Sequence, residues 1–316
     1  MKSILITGGA GFIGCHLTKE LLEKGSRVIC VDDFTLGTLE NVKEFLENPN
    51  FRLIQQDVTE VEDILEKLKD ENIDIIYHLA ANSDIQKGGK NPKIDFHNTL
   101  ETTFASLEIA RNKGVKDYFF ASTSAIYGDR TNELLKEDMG NLRPISYYGG
   151  AKLASESIIS SYAYMNEMNV IVFRFPNVIG PNLTHGVIYD FTKKLHNDPK
   201  HLVILGDGTQ SKPYIYVKDL VEVIIKMTQN IKSGMEVYNI GVDGSTSVTK
   251  IADIVCEELG LQNVEYEYTG GNVGWKGDVP KFQYDLSKIH GQGWQAKHNS
   301  DESVKETVKH IKHYEK

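Results

Sequence analysis

The chain of 316 residues is 40% hydrophobic and 25% charged, a composition typical of a globular protein that buries a large core. Its net charge is −9 and it has no long basic cluster, so we exclude electrostatic binding to nucleic-acid phosphates. Cys15, Cys30 and Cys256 are too few and too far apart for a disulfide framework or a zinc site, so we expect no metal. No signal peptide and no membrane-spanning run is recognisable, so we expect a cytoplasmic protein.

The first two-thirds of the chain alternate short apolar runs with longer amphipathic stretches, which is the pattern of βαβ units. The predicted strands are Ser3–Thr7, Arg27–Asp32, Phe51–Gln55, Ile73–Leu79, Asp117–Ala121 and Val170–Phe175. The predicted helices between them are Ile13–Glu23, Val61–Lys69, Thr99–Asn112 and Tyr148–Met165. The expected fold class is therefore α/β, with a Rossmann-type doubly wound parallel sheet.

The last third, from Pro176, carries more glycine, proline and aromatic residues, with helices predicted at Val217–Thr228 and Val248–Leu259. We expect a smaller, mostly C-terminal α/β domain there, interleaved with late strands of the first. The prediction assigns residues 1–175 and about 214–242 to the first domain. It assigns residues from about 176–213 and 243–316 to the second.

A glycine-rich turn follows the first predicted strand, in the run Thr7-Gly8-Gly9-Ala10-Gly11-Phe12-Ile13-Gly14. Gly8, Gly11 and Gly14 lie three apart, where a tight turn, close approach to a pyrophosphate and close packing of helix on strand require glycine. Phe12 and Ile13 begin the helix, whose N-terminus offers free N–H groups to phosphate. The turn therefore predicts a dinucleotide site, and the alternative is an ordinary turn.

Acidic and small residues follow the next three strands. A carboxylate from Asp32 or Asp33 can accept both hydroxyls of an adenosine ribose and would repel the extra phosphate of NADP, which favours NAD. The alternative is that one of these acids caps a loop. Asp57 and Val58 are placed to meet the adenine edge, and Leu79-Ala80-Ala81 to line the phosphates and the nicotinamide side.

Tyr148 and Lys152 stand four apart at the start of a predicted helix, so their side chains share one face. An ammonium near a phenol favours the phenolate, so we expect the pKa of Tyr148 to be lowered and Tyr148 to act as a base. Tyr147 has the wrong spacing to Lys152. The hydroxyl-rich run Ser122-Thr123-Ser124 ends the fifth strand, where α/β sheets place reactive groups. Its alternative is a polar turn that satisfies its own backbone.

With the glycine turn, the hydroxyl run and the Tyr-Lys pair in this order, the sequence resembles the extended short-chain dehydrogenase/reductase family over nearly its whole length. Within that family it looks most like the UDP-glucose 4-epimerase branch. Later segments that carry the resemblance are Arg174–Pro181, Gly206–Gly208, Tyr214–Leu220, Gly274–Pro280 and Gly293–Trp294. The resemblance implies that the first domain binds NAD and the second a nucleotide sugar, with UDP as the expected nucleotide.

The resemblance also implies roles for single residues. Tyr148 would be the base, and Lys152 would hold the nicotinamide ribose and tune Tyr148. Thr123, by its distance from Tyr127-Gly128, would be the catalytic hydroxyl, with Ser124 touching the sugar. The other substrate-binding residues that it implies are Asn177, Val187, Lys212, Tyr214 and Asp278.

The reaction implied is epimerisation through a transient 4-keto sugar, in which hydride leaves C4 for NAD and returns to the other face. Dehydratases of the family carry Asp-Glu after the catalytic threonine, where this chain has Ser124-Ala125, and the carboxylate of related decarboxylases is absent too. A reductase making a net change would prefer NADP, against Asp32. Epimerisation is therefore favoured over these other reactions of the family.

Two substitutions bear on the diphosphate site that the resemblance implies. Lys212 stands where many members have arginine, and Val273 where a second arginine is common, and lysine does not grip phosphate bidentately as arginine does. The non-enzyme alternative is a sensor or scaffold that binds NAD without turnover. The resemblance also implies a homodimer through the helices Thr99–Asn112 and Tyr148–Met165. The sequence names neither the sugar, nor the nucleotide base, nor the inverted carbon.

Overall fold

The computed structural model describes residues 1–131, 133–229, 231–271, 274 and 277–311. The chain divides into two compact units. The first contains Met1–Ile126, Arg143–Arg174 and Val221–Tyr238. The second contains Tyr127–Leu142, Phe175–Leu220 and the residues from Asn239 onward. The segment Tyr127–Leu142, which the sequence analysis placed in the first domain, clusters with the second unit.

The strands are short, as those of globular proteins are. In chain order they are β1 (Ser3–Thr7), β2 (Arg27–Asp32), β3 (Phe51–Gln55), β4 (Ile75–His78), β5 (Asp117–Thr123), β6 (Leu134–Leu135), β7 (Asn169–Phe175), β8 (Asn177–Ile179), β9 (His201–Ile204), β10 (Ser211–Lys212), β11 (Tyr214–Tyr216), β12 (Gly234–Asn239), β13 (Thr246–Ser247), β14 (Glu265–Tyr268) and β15 (Gln283–Tyr284).

The α-helices alternate with the strands. They are α1 (Phe12–Glu23), α2 (Val61–Lys67), α3 (Ile85–Lys90), α4 (Pro92–Asp95), α5 (Thr102–Lys113), α6 (Tyr147–Met165), α7 (Val187–Asn197), α8 (Val217–Thr228), α9 (Val248–Leu259), α10 (Ser287–His290) and α11 (Ser300–Ile311). Short 3₁₀ turns at Leu39–Asn41, Lys43–Phe45 and Ser124–Tyr127 and a π-helical segment at Phe96–Glu101 complete the elements.

Within the described residues, seven strands form one sheet in the order β12-β7-β5-β4-β1-β2-β3. The pairs β1 with β2, β1 with β4, β2 with β3, and β4 with β5 are parallel. Consecutive residues of β1, such as Ile4, Leu5 and Ile6, are all buried, because helices cover both faces of a sheet of this kind. The chain order reverses beside β1, so the carboxyl ends of β1 and β4 flank the point where such sheets bind ligands. The predicted doubly wound fold is confirmed.

One face of this sheet packs against α2, α5 and α6 around an apolar core. The core joins Leu5, Ile29 and Ile54 of the sheet to side chains from those helices, which include Ile64, Leu107, Ile109 and Ile159. Burial of Ile159 in this core fixes α6, and so fixes the position of the residues at its beginning.

Most predicted elements match the observed ones, and three differences matter for the site. Strand β5 continues to Thr123, two residues beyond the predicted end, so the hydroxyl run lies at the strand terminus. The helix expected at Thr99–Asn112 begins earlier, as the π-helical segment Phe96–Glu101, before it continues as α5. Strand β12 was not predicted, because its residues Gly234–Asn239 do not show an apolar run.

The second unit is held together by small sheets and a buried hydrogen-bond network. Its strand pairs are β6 with β15, β8 with β11, β9 with β14, and β10 with β13. The Tyr127 hydroxyl donates to Asn239 Oδ1 at 2.7 Å, and Asn239 Nδ2 donates to the Leu135 carbonyl at 2.9 Å. These bonds explain why Tyr127–Leu142 belongs to this unit. No helix among the described residues is both long and apolar enough to cross a membrane.

Candidate active site

The glycine turn after β1 is packed too closely for side chains. Gly8 has φ +74°, and a Cβ there would lie 2.6 Å from the Ala80 nitrogen. A Cβ on Gly14 would lie 2.2 Å from the Gly8 carbonyl oxygen. Gly8 is therefore required by its backbone conformation, and Gly14 by the approach of α1 to the turn.

Helix α1 leaves its N-terminus open beside this turn. Its N-cap is Gly11, which makes no side-chain capping bond, and Phe12 and Ile13 are half-buried in the first turn. An uncapped N-terminus directs free N–H groups and the positive end of the helix dipole outward. Together with the tight glycine turn, this arrangement fits a dinucleotide pyrophosphate.

Asp32 ends β2 directly beside the glycine turn and is 6% exposed. Its carboxylate accepts bonds from the main-chain N–H groups of Ala10 and Phe34, both at 2.9 Å. Burial raises the pKa of the Asp32 carboxyl, although both N–H bonds oppose the shift. Asp33 is exposed and accepts bonds from the backbone and hydroxyl of Thr35. Asp33 therefore caps a loop, and Asp32 is the acid placed at the turn.

Asp57 lies two residues beyond β3, beside Val58. Asp57 accepts bonds from the backbone and hydroxyl of Thr59 and from His97. Burial raises the pKa of the Asp57 carboxyl, but these bonds outweigh it, and the net shift is downward. The Val58 side chain is buried in the core of the first unit, so its main chain is the part available to a ligand.

The segment after β4 passes directly over the glycine turn. The Leu79 N–H donates to the Thr7 carbonyl at 3.0 Å. Gly8, the next residue after Thr7, packs against the main chain of Ala80. Leu79, Ala80 and Ala81 are half-buried. The structure therefore brings the residues predicted after β1 and β4 together.

Thr123 ends β5, and Ser124 begins the 3₁₀ turn that follows. Both residues are half-buried. The Thr123 hydroxyl accepts a bond from the Ala125 N–H at 3.2 Å, as in a polar turn that satisfies its own backbone. It also lies close enough to Tyr148 to lower the pKa of the phenol, so the two predicted catalytic residues are neighbours.

Helix α6 begins against the turn that follows β5. Ser146 caps the helix by accepting a bond from the Gly149 N–H at 3.1 Å. A Cβ on Gly149 would lie 2.6 Å from the Ala125 carbonyl oxygen, so the glycine permits this close approach. The approach brings Tyr148 to Thr123, whereas Tyr147 is 56% exposed.

The expectation that the pKa of Tyr148 is lowered is wrong for this structure. Burial raises the pKa of the Tyr148 phenol to about 12; the neighbouring Thr123 hydroxyl opposes the shift, and the charge of Asp95 adds to it. The sequence argument counted the ammonium and left out the cost of a phenolate in a buried place.

Lys152 lies one turn after Tyr148 and is 2% exposed. Its Nζ donates to the Ala121 carbonyl at 2.7 Å and lies 4.6 Å from the Phe120 ring centroid and 6.0 Å from that of Tyr148. Burial lowers the pKa of Lys152 to about 7, and the charge of Glu156 opposes this shift. Lys152 is thus held beneath Tyr148 on the predicted helix face.

A buried ionic network lies one further turn along α6, and the sequence analysis did not identify it. Arg174 donates to both carboxylate oxygens of Glu156, at 3.1 and 2.8 Å, and Ser122 Oγ donates to one of them. Glu156 and Arg174 side chains are each 6% exposed. The pair crosses from α6 to β7, so its members are distant in sequence.

Asp95 is a second residue that the sequence analysis missed. It is 1% exposed; its Oδ1 accepts a bond of 2.7 Å from the Asn82 amide, and its Oδ2 is buried without a hydrogen-bond partner. Burial raises the pKa of the Asp95 carboxyl. Gly88 is required beside it, because a Cβ there would lie 2.1 Å from Oδ2. Asp95 acts on Tyr148 through its charge.

The residues predicted to bind substrate in the second unit fall into two groups. In the first, Asn177 of β8 pairs with Tyr214 of β11, and Val187 begins α7. Asn177 and Val187 are half-buried, and Tyr214 is 6% exposed. Burial raises the pKa of the Tyr214 phenol, and the charge of Asp278 adds to it.

The second group is an ion pair. Lys212 Nζ lies 2.5 Å from Asp278 Oδ1, with the two side chains 15% and 5% exposed. Asp278 Oδ2 also accepts a bond of 3.2 Å from the Gly274 N–H. The two predicted substrate residues are thus brought together as partners. Val273 and Trp275, which the sequence analysis also considered, lie outside the described residues.

The described residues contain no cluster of three or more His, Cys, Asp or Glu side chains that could hold a metal ion.

Comparison with known proteins agrees with the dinucleotide geometry. The model of a family described as the NAD dependent epimerase/dehydratase family matches residues 4–241.

Three individual proteins illustrate the similarity. A Methanocaldococcus jannaschii protein named "Putative UDP-glucose 4-epimerase" is 30% identical over 314 residues, which are 98% of each chain. UDP-glucuronic acid decarboxylase 1 of Arabidopsis thaliana is 32% identical over 93% of this chain and 66% of that protein. The crystal structure of a Thermotoga maritima UDP-glucose 4-epimerase with UDP-glucose is 30% identical, has a TM-score of 0.87 and covers 98% of both chains.

Proposed function

The chain belongs to the NAD-dependent epimerase/dehydratase family, and we propose that it interconverts UDP-glucose and UDP-galactose by inverting C4. Membership makes it an enzyme of a nucleotide-sugar family with NAD as cofactor. The choice of sugar, of nucleotide and of carbon is the proposal. Similarity to an epimerase and to a decarboxylase is nearly equal, at 30% and 32% identity, so identity does not decide between the reactions.

The observation that carries the proposal is the position of Tyr148 beside the Thr123 hydroxyl, in a run without a carboxylate. Epimerisation needs one group that takes a hydroxyl proton and returns it to the same oxygen. Elimination of water needs an additional acid and base. Ser124 and Ala125 supply neither, which supports epimerisation.

The first unit offers a set of groups that fits NAD. The glycine turn and the open N-terminus of α1 would hold the pyrophosphate. Asp32 would take the adenosine ribose, Asp57 and the Val58 main chain the adenine, and Lys152 the nicotinamide ribose. The close contacts of Gly8 with Ala80 and of Gly14 with the Gly8 carbonyl support this assignment, because they form the tight turn that brings the N-terminus of α1 to the pyrophosphate.

When bound, NAD supplies a hydride acceptor that becomes a hydride donor once reduced, together with a positive charge in its oxidised form. Tyr148, as its phenolate, would take the proton of the substrate C4 hydroxyl and later return it. Thr123 lies beside Tyr148 and would hydrogen-bond the phenol oxygen. Lys152, fixed to Ala121, would stabilise the phenolate when the lysine amine is protonated. The residues thus hold donor, acceptor and base in one geometry.

In the second unit, we assign the diphosphate to Lys212 and the nucleotide sugar contacts to Asn177, Val187 and Tyr214. Lys212 already pairs with Asp278. A diphosphate would share this lysine with the carboxylate, so electrostatics favour weaker phosphate binding than an arginine would give. Two further expectations stay predictions: a homodimer and a cytoplasmic location.

The experiment that tests the proposal is incubation of the purified protein with single nucleotide sugars and NMR identification of the products. UDP-galactose is expected to give UDP-glucose, and UDP-glucose the reverse. UDP-glucuronate tests decarboxylation, and dTDP-glucose tests dehydration. Release of CO₂ from UDP-glucuronate, or a 4-keto-6-deoxy product, would overturn the proposed reaction. Protein that binds NAD and turns over none of these sugars would support a sensor or scaffold.

A further inference from the structure

His97 lies between two carboxylates beside the candidate adenine site. It belongs to the π-helical segment Phe96–Glu101. Its Nδ1 lies 2.6 Å from Glu101 Oε2, and its Nε2 lies 3.1 Å from Asp57 Oδ2. Imidazole can donate from both ring nitrogens only when it is protonated. The two-sided contact is therefore the arrangement of a histidinium ion.

The contact with His97 completes the fixing of Asp57. Asp57 Oδ1 accepts bonds from the Thr59 N–H at 2.8 Å and from the Thr59 hydroxyl at 2.7 Å. His97 engages the other oxygen, Oδ2. Both oxygens are thus held, and the plane of the carboxylate is set by donors on two sides. The Asp57 side chain is still 32% exposed, so a ligand can reach it.

We propose that His97 is a positioning residue for the adenine end of the NAD site, where its protonated form holds Asp57 in the orientation that binds the adenine amine. The inference rests on the proposed contact of Asp57 with adenine. An exocyclic amine donates in the plane of its ring, so it forms a stronger hydrogen bond with an acceptor that is held at a fixed angle. Without His97, Oδ2 of Asp57 would lose the contact that holds it in place.

The charged groups around His97 define when it is protonated. The bond to Glu101 raises the pKa of His97, burial opposes this by lowering it, and the bond and charge of Asp57 raise it further, for a net upward shift. On the helices packed against this segment, Asp95 of α4 bonds Asn82, and Lys152 of α6 bonds Ala121. On α5, Glu108 pairs with Arg111.

The pH dependence follows from these directions. Asp57 has a pKa below its ordinary 3.8 and His97 a pKa above its ordinary 6.5, so both are charged at least between these two pH values. As the pH rises through the pKa of His97, one of its two bonds is lost. The affinity for NAD is then expected to fall.

The test measures the binding of NAD and of ADP-ribose, which lacks the nicotinamide, to cofactor-stripped protein by titration from pH 5.5 to 9. For the wild-type protein, we expect both dissociation constants to rise about five- to tenfold towards high pH, the net contribution of one ordinary hydrogen bond. His97→Ala should weaken both ligands by about the same factor at low pH and remove the pH dependence. Glu101→Gln should shift the transition to lower pH.

The matched control is His201→Ala, because His201 also faces one carboxylate, Glu267, at 3.1 Å and is 39% exposed. This variant should keep the wild-type affinities and profile. A double variant of His97→Ala with Asp57→Asn distinguishes a positioning role from a general loss of ligand binding. The effect of His97→Ala on the dissociation constants should vanish once Asp57 is altered. Wild-type protein that binds neither ligand would overturn the proposed cofactor site. Binding by His97→Ala that equals wild type at every pH would overturn only the role of His97.

Discussion

The Nζ atom of Lys152 donates a hydrogen bond of 2.7 Å to the main-chain oxygen of Ala121, on the strand that ends in Thr123. The same helix presents Tyr148, whose phenol lies beside Thr123. One helix and one strand therefore fix the base, its hydroxyl partner and the lysine relative to one another. This rigid pairing is the part of the site on which the proposed chemistry depends.

Replacement of Tyr148 by Phe tests the base. We expect Tyr148→Phe to lower the rate of sugar turnover about 10²- to 10⁴-fold, because the proton transfer loses its acceptor. The amount of bound NAD should stay near the wild-type value, since the change removes one oxygen. Turnover and cofactor content measured on the same preparation check this.

The neighbouring tyrosine provides the control for that prediction. Tyr147 begins α6 and is 56% exposed. Tyr147→Phe should leave turnover within about twofold of wild type, as surface substitutions away from the chemistry usually do. Equal losses in the two variants would argue against Tyr148 as the base.

The buried Lys152 predicts a pH-dependent stability. Its pKa is lowered from 10.5 to about 7, so the unfolded chain binds more protons between these values. The free energy of unfolding therefore contains a contribution that rises with pH across this window and is least favourable below about pH 7. Lys152→Met lacks this contribution. Urea unfolding at pH 6 and pH 10 should show wild type gaining stability relative to the variant at pH 10, and a constant difference would contradict the burial of a charge.

Local sequence patterns were enough to find the parts of the site that depend on neighbours in the chain. Gly8, Gly14 and Asp32 follow strands whose apolar runs are plain in the sequence, and the spacing of Tyr148 and Lys152 fixes their common helix face. Each of these patterns is set within one element or one turn. The structure places them where the patterns indicate.

The residues that were missed have partners that only the tertiary fold brings near. Glu156 meets Arg174 across α6 and β7, and His97 meets Asp57 across 40 positions of sequence. Sequence spacing carries no signal for such pairs, because the packing of helices on the sheet decides them. The shift of the pKa of Tyr148 was predicted in the wrong direction for the same reason, since burial is a tertiary property.

Asp32 predicts the choice of cofactor. We expect Asp32→Asn to weaken NAD binding about 10- to 100-fold, because a charged acceptor is replaced by a neutral one, and to narrow the preference for NAD over NADP. Titration of stripped protein with both dinucleotides measures this. Asp33→Asn is the control, because Asp33 hydrogen-bonds only Thr35 among the described contacts. This variant should change the affinities for NAD and NADP by less than about threefold.

Exposed aromatic residues on α5 and α6 support the proposed dimer. Phe104 is 50% exposed and Tyr164 86% exposed, and Phe104 packs edge-on against Tyr162. We expect the wild-type chain to sediment as a dimer and Phe104→Asp to sediment as a monomer, because a buried charge at the interface is costly. Leu46→Asp, at a leucine 42% exposed elsewhere, should remain dimeric. A monomeric wild-type protein would rule the dimer out.

The most direct measurement is NMR of UDP-galactose turned over by the protein in heavy water, with absorbance near 340 nm followed at the same time. The account predicts UDP-glucose that carries no solvent deuterium at C4, with a small transient rise in absorbance, because the hydride that leaves C4 is the one that returns. Deuterium at a carbon of the product, or a product other than the C4 epimer, would contradict it.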